Sequence, residues 1–347
     1  MLRLVAYSEA MREEWDRFAL SRGTVFHSGG FRQILLDSFG YRCAYHAVID
    51  DQERICGLLP LVVGRNLSWS RVGVSLPFVN HLDICADNEE TKNVALSAIP
   101  GIITNLGLQT VELRLKDQAV DLPQWQVHLQ NCTFELPLLE DETATLAQAS
   151  ASCRNHVRKT YKNSWFAVSF APGRLPEFYK VYVKRMKQLG SPAPALEFFA
   201  NFFRCMPDET TLLTVLERDT GRVIGGMLLI ADPGNSTLYY PYGANLVEYN
   251  HQYLNNFMYW EAVRFGIRQG MKRLDLGRSP VGSGTYHFKT QWGAKPAPLR
   301  YLFYGHKEGA AGPPDREKLK VFIELWKAIP AFVTDRVGQT LIKHLMP

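Results

Sequence analysis

The sequence predicts an α/β chain with two similar halves, each with a mixed central sheet, followed by C-terminal helices. Three observations predict this class. Stretches with helical and strand periodicity alternate along the chain. An ordered set of hairpin turn, following strand, helix and final strand recurs about 160–170 residues apart. The 347 residues exceed what one ordinary core accommodates, so two domains are the default. The pattern draws boundaries at 1–145 and 146–310, with a helical extension over 311–347.

In the first half, "SEAMREEWDRFALS" has a helix pattern with Ser8 as its N-cap, and "GGFRQILLDSFG" is a second helix closed by Gly40. A hairpin follows: "RCAYHAVID", a turn at Asp50–Gln52, then "RICGLLPLVVGR". "SRVGVSLPFV" is a strand. "NEETKNVALSAIPGIITNLG" is a helix that Pro100 bends or interrupts. "QTVELRLK" alternates as a strand, with Val111, Leu113 and Leu115 on one face.

The second half repeats the order. "RLPEFYKVYVKRMKQLG" and "LEFFANFFRCM" are helices, and "TLLTVLERDTGRVIGGMLLIA" is a hairpin turned at Asp219–Gly221. "STLYYPYGA" is a strand, "QYLNNFMYWEAVRFGIRQG" a helix ended by Gly270, and "KRLDLG" a strand. Between the halves, "TLAQASASCRNHVRKTYKNSW" is helical and basic. Arg154, Arg158 and Lys162 form an i,i+4 stripe with Lys159 beside it, a pattern that attracts phosphates as well as solvent. The last segment reads as helices broken near Pro330. Leu319, Phe322, Ile323, Leu325, Trp326 and Ile329 make an apolar stripe suited to docking on the body, and its basic flanks also admit contact with a membrane surface.

Composition narrows the function classes. Hydrophobic residues are 46% and charged residues 21%, a globular balance, and the net charge of +5 permits an anionic partner without demanding one. Six scattered cysteines without a C-x-x-C pair suit a reducing compartment better than a disulfide frame, and the nine histidines lack metal-ligand spacing. The acidic start is unlike a signal peptide and no apolar run approaches the ~20 residues of a membrane helix, so a soluble cytoplasmic protein is expected.

The chemistry concentrates in "LDLGRSPVGSGTYHFKTQWGA", residues 274–294. Leu274 and Leu276 face a core, leaving Asp275 and Gly277 on the other face. Pro280, Gly282 and Gly284 allow a tight loop with close backbone approach. If "GTYHFKTQW" is a short helix, Phe288 and Trp292 anchor it, and Lys289 is presented with Tyr286 toward the loop. A fixed ammonium beside loop N–H groups near Gly282, Ser283 and Gly284 suits stabilisation of a carbonyl oxyanion, as acyl transfer requires.

The same stretch resembles the C-terminal signature of the FemAB-like family, within it the branch found with exosortase (PEP-CTERM) and exopolysaccharide loci in Gram-negative bacteria. "TVFHSGGFRQILLDSFG", "GLLPLV", "VSLPFV", "CRNHVRKTYK", "MKQLGSP" and "YGA" agree in order, over about residues 24–300. The resemblance implies two tandem GNAT-like domains. Fem-type members transfer an aminoacyl group from aminoacyl-tRNA to an amine of a peptidoglycan precursor. The lysine of the signature falls on Lys289 and its aspartate on Asp275, the candidate catalytic pair. Arg278, Ser279, Gly282, Ser283, Gly284 and Tyr286 are the neighbouring substrate-binding candidates, joined by Arg154, Arg158 and Lys159 on the basic helix. Asp83 in "VNHLDICAD" is a candidate holder of a substrate ammonium.

The function expected is a Fem-like N-acyl or aminoacyl transfer to a cell-envelope or polysaccharide precursor, with the amine entering between the domains. No cofactor or metal is required, and the donor is open between aminoacyl-tRNA and acyl-CoA. An acetyl-CoA-dependent enzyme ranks second, because "YGANLVEYNHQYLNN" lacks the glycine-rich turn that cradles pyrophosphate. A non-catalytic assembly factor ranks third, disfavoured by the intact signature.

Overall fold

β1 (Arg3–Ala6), α1 (Arg12–Arg22) and α2 (Gly29–Phe39) open the chain of the computed structural model, which describes residues 1–116, 124–305 and 316–346. Two units emerge. Unit 1 comprises 1–130, 298–316 and 340–347; unit 2 comprises 131–297 and 317–339. Ser8 precedes α1 but makes no side-chain cap. Ser28 caps α2 through Phe31 N–H, and Gly40, at φ 63°, closes it as expected.

The first hairpin departs from the sequence reading. Each long strand is broken in two. β2 (Arg42–Cys43) and β3 (His46–Ile49) replace the first, β4 (Ile55–Leu59) and β5 (Val62–Arg65) the second. β3 pairs β4 in a four-stranded sheet ordered β1-β3-β4-β7, where β7 is Cys85–Ala86, whereas β2 pairs β5 in another sheet. Pro60 stands at the break, supplying no N–H for a continuous ladder. β6 (Arg71–Val74) lies beside β5. α3 (Glu89–Ser97) and α4 (Ile99–Leu106) are the interrupted helix, with Pro100 in the first turn of α4, where its missing donor costs nothing. β8 (Thr110–Lys116) runs parallel to β6. Val111, Leu113 and Leu115 are fully or almost fully buried in a core shared with Ile99, Ile103 and Leu302.

β9 (Gln126–Pro137) was not visible in the sequence pattern. Unit 2 continues with α5 (Glu142–Ala147), α6 (Ala151–Lys162) and β10 (Phe166–Ser169). Then come α7 (Leu175–Leu189), α8 (Leu196–Cys205), β11 (Thr210–Glu217), β12 (Val223–Asp232), β13 (Thr237–Asn245), α9 (Leu254–Arg268) and β14 (Arg273–Asp275). β15 (Ser279–Pro280) and α10 (Gly284–Thr290) follow. The unit 2 strands are ordered β10-β11-β12-β13-β14-β9, and β15 also pairs β9. β10 through β13 form an antiparallel meander, and β13 and β14 are parallel, joined across α9. A meander, a crossover helix and a parallel strand thus occur in both units, as the repeat predicted.

β16 (Lys295–Gly305) returns to unit 1 and pairs antiparallel with β8. α11 (Arg316–Ala328) and α12 (Ala331–Leu345) are broken at Pro330 as expected. Trp326 is buried, while Leu325 is 61% exposed and so lies off the docking stripe; the side chain of Leu319 is outside the described residues.

Candidate active site

The site grows out of one short ladder in unit 2. β13 and β14 pair over only Thr237–Tyr239 and Arg273–Asp275. Past Tyr239, β13 runs on to Asn245, held on its other edge by β12. The chain after β14 turns instead to β9: Leu276 N–H donates to Phe134 O at 2.8 Å, and Ser279 pairs with Cys132. Two parallel strands therefore diverge, leaving the edge of β13 beyond Tyr239 without a ladder to β14.

The polar residues collect at the point of divergence. Asp275 is 3% exposed. It accepts from Thr133 Oγ1 at 2.9 Å and from Gly277 N–H at 2.6 Å, so its carboxylate fixes the turn in which Gly277 takes φ 76°. Gly282, at φ 74°, makes the next turn. Ser283 Oγ then accepts from Tyr286 N–H at 3.2 Å, the N-cap of α10, and Gly284 is the first residue of that helix.

α10 carries Lys289 inward. The side chain is 6% exposed, and Nζ donates to Gly277 O at 2.9 Å and Arg278 O at 3.1 Å. Burial pushes its pKa down to about 8; Asp275 works against that shift, and the Arg278 guanidinium adds to it. Phe134, fully buried on β9, forms the floor: Tyr286 packs edge-on at 5.0 Å, and the Lys289 ammonium lies 5.5 Å from its centroid. The predicted anchors meet one residue, Tyr259 of α9, with Phe288 edge-on at 5.1 Å and Trp292 stacked at 5.9 Å. Ser279, 1% exposed, has a hydroxyl without a hydrogen-bond partner among the described residues, and so has the Trp292 indole N–H.

Seven candidates are thus brought together: Asp275, Arg278, Ser279, Gly282, Ser283, Gly284 and Tyr286 lie on the loop and helix that hold Lys289. The basic helix is α6, elsewhere in unit 2. Arg154 folds back onto Ala149 O at its N-terminus, Arg158 is exposed, and the Lys159 ammonium sits 5.5 Å from the ring of Tyr253, on which His156 stacks. Asp83 belongs to unit 1, where Oδ1 accepts from Lys116 N–H at 2.7 Å. Thr133, Phe134 and Tyr259 were missed. Two lie on the strand that the sequence pattern did not show, and Tyr259 reads as an ordinary core position of an apolar helix.

These features meet in a stretch with a recognisable signature. Residues 147–290 match the acetyltransferase (GNAT) domain family. The GNAT match includes both diverging strands and ends one residue after Lys289. Among solved structures, FemX is similar over 86% of this chain and 96% of its own, at 14% identity and TM-score 0.66. L-PGS from Bacillus licheniformis is similar over 92% and 97%, at 10% identity and TM-score 0.59. A tandem GNAT protein from the clavulanic acid biosynthesis pathway is similar over 91% and 100%, at 10% identity and TM-score 0.56. These likenesses concern the fold, which is that of two tandem GNAT-like domains with C-terminal helices. No curated protein matches the chain in sequence. Among the described residues, no helix is long and apolar enough to cross a membrane.

Proposed function

We propose that the chain is a Fem-like acyltransferase that joins an activated acyl or aminoacyl group to an amine. The observation that carries this reading is the buried Lys289 ammonium at the divergence of β13 and β14. An ammonium has three N–H donors, and two are used by Gly277 O and Arg278 O. The third is available to an acyl oxygen. As the amine nitrogen attacks the acyl carbon, the C–N bond forms and negative charge gathers on that oxygen. Collapse breaks the bond to the carrier, which leaves with the electron pair and takes up the proton that the amine loses. Lys289 stabilises the oxyanion, and the Ser279 hydroxyl is a second donor awaiting a partner. Asp275 acts as a positioning residue: its oxygens hold the turn and its charge keeps Lys289 protonated.

The acceptor in this reading is a cell-envelope or exopolysaccharide precursor, as the sequence signature implies, with the α6 cations as candidates for an anionic donor. Acetyl-CoA ranks behind aminoacyl-tRNA as donor. The turn after β13 is a 3-10 segment over Val247–Gln252, closed by an Asn245–Asn250 side-chain bond of 2.7 Å rather than opened by glycines.

The test is transfer to hydroxylamine from acetyl-CoA and, separately, from charged tRNA. Lys289→Met is expected to lose about 100–1,000-fold in rate while remaining folded, the range for removing one oxyanion donor. A folded variant with the parent rate would remove Lys289 from the mechanism.

A further inference from the structure

A hollow lies in unit 2 along the outer face of α7. It measures about 670 Å³, within the range of small-molecule sites. Tyr179 and Val183 form the apolar floor, and the Tyr179 hydroxyl is fixed by a 3.0 Å bond to Pro194 O. Lys180, Lys184 and Lys187 of α7 and Lys327 of α11 also line it, together with Gln188 and Gln339. Helical spacing puts the three α7 lysines on one side. Among the described residues lining it there is no carboxylate.

The ammoniums are available to a ligand in different degrees. Lys187 donates to Ile329 O. Lys184 pairs with Glu248 at 2.9 Å and Lys327 with Glu324 at 2.8 Å, both outside the hollow. Exposed pairs of this kind contribute up to about 1 kcal/mol and exchange readily for a better anion. A smaller hollow of about 240 Å³ shares Lys180 and Lys184 and adds Arg222, with Val223 and Leu246 as walls. Its one carboxylate, Glu177, already pairs with Arg174 at 3.1 Å.

An apolar floor beside several cations fits neither a free anion nor a neutral chain. We propose that this groove binds an anionic amphiphile, a phosphate headgroup on an alkyl or prenyl chain. The chain lies over Tyr179 and Val183, and the phosphate sits between Lys180, Lys184 and Lys327. The proposal does not depend on the acyl-transfer reading, since binding is measured without turnover.

Titration calorimetry of the full chain with decyl phosphate, below its micelle concentration, tests it. Decyl phosphate is expected to bind at least about tenfold more tightly than inorganic phosphate or decyl maltoside, a gap of ~1.4 kcal/mol. The Lys180→Gln/Lys184→Gln variant, altered only at exposed side chains, is expected to lose about tenfold, and Val183→Asp a similar factor, both with the parent circular dichroism. Lys289→Met is expected to bind normally. The proposal is overturned by equal affinity for either control, by unchanged affinity in the double variant, or by no binding. Binding to phosphatidylglycerol vesicles alone would replace the groove with a membrane surface and also overturn it.

Discussion

Lys289 is costly for the fold in the form the proposed chemistry needs. Its pKa falls from 10.5 to about 8 because burial disfavours the ammonium, a penalty on the order of 3 kcal/mol by the free energy of a pKa unit. The sign follows from linkage. Between pH 8 and 10.5 the unfolded chain holds more protons at this lysine than the folded one, so stability rises with pH across that window. Below pH 8 the full penalty is present. The oxyanion role proposed for Lys289 needs the charged form, so transfer is expected to fall as pH rises through about 8. The rate profile of the parent should show this alkaline limb, and the residual activity of Lys289→Met should lack it. Asp275→Asn separates positioning from mere packing. Asp275 raises the pKa of Lys289, so losing its charge should move the limb to lower pH, an effect that a purely structural role would not produce. The sequence placed these two residues with Tyr286 and Ser283 because all share one short segment. Thr133 and Phe134 reach the same spot through tertiary pairing of β9, which leaves no local trace.

α10 illustrates how an element too short to stand alone is made rigid. Seven residues form less than two full turns, below the length at which an isolated helix persists in water. Its order comes from Ser283 at one end and from Phe288 and Trp292 against Tyr259 at the other. Trp292 is 1% exposed, so Trp292→Ala should cost about 3–5 kcal/mol. The loss is measurable by urea unfolding, together with reduced transfer as Lys289 loses its fixed support. The i,i+4 pair was legible because both residues lie in one short segment, Phe288 on α10 and Trp292 in the turn that follows it; their partner was not, because Tyr259 is one aromatic among many in α9. Strand errors have equally local causes. "RICGLLPLVVGR" reads as one strand by hydrophobicity alone, but Pro60 divides it between two sheets. β16 begins "KPAP", two prolines that argue against a strand, although the pairing with β8 starts only at Leu299.

The two units share a plan and differ where it matters. Each has a parallel pair of three residues joined across helices, β6 with β8 and β13 with β14. In unit 1 the strands stay tied beyond that pair: Ser75 N–H reaches Glu112 O at 2.8 Å, and Arg114 N–H reaches Ser75 Oγ at 3.1 Å. The Arg114 side chain fills the space beside them, bonded to Glu112 at 2.7 Å and to Met346 O at 2.7 Å. In unit 2 the corresponding strands part and Lys289 stands at the opening. The repeat was visible in the sequence because it is a matter of element order; that only one copy opens was not, because it turns on which backbone donor meets which acceptor. A chain with two like units should therefore bind one donor. Calorimetric titration with acetyl-CoA and with charged tRNA should saturate at one equivalent per chain for whichever is the donor, and two equivalents would contradict the closed state of unit 1. Arg114→Met should leave that stoichiometry at one. It should also lower stability by about 1–3 kcal/mol, the cost of leaving the half-buried Glu112 carboxylate and the Met346 carbonyl without their partner, read as an earlier urea midpoint at unchanged donor affinity.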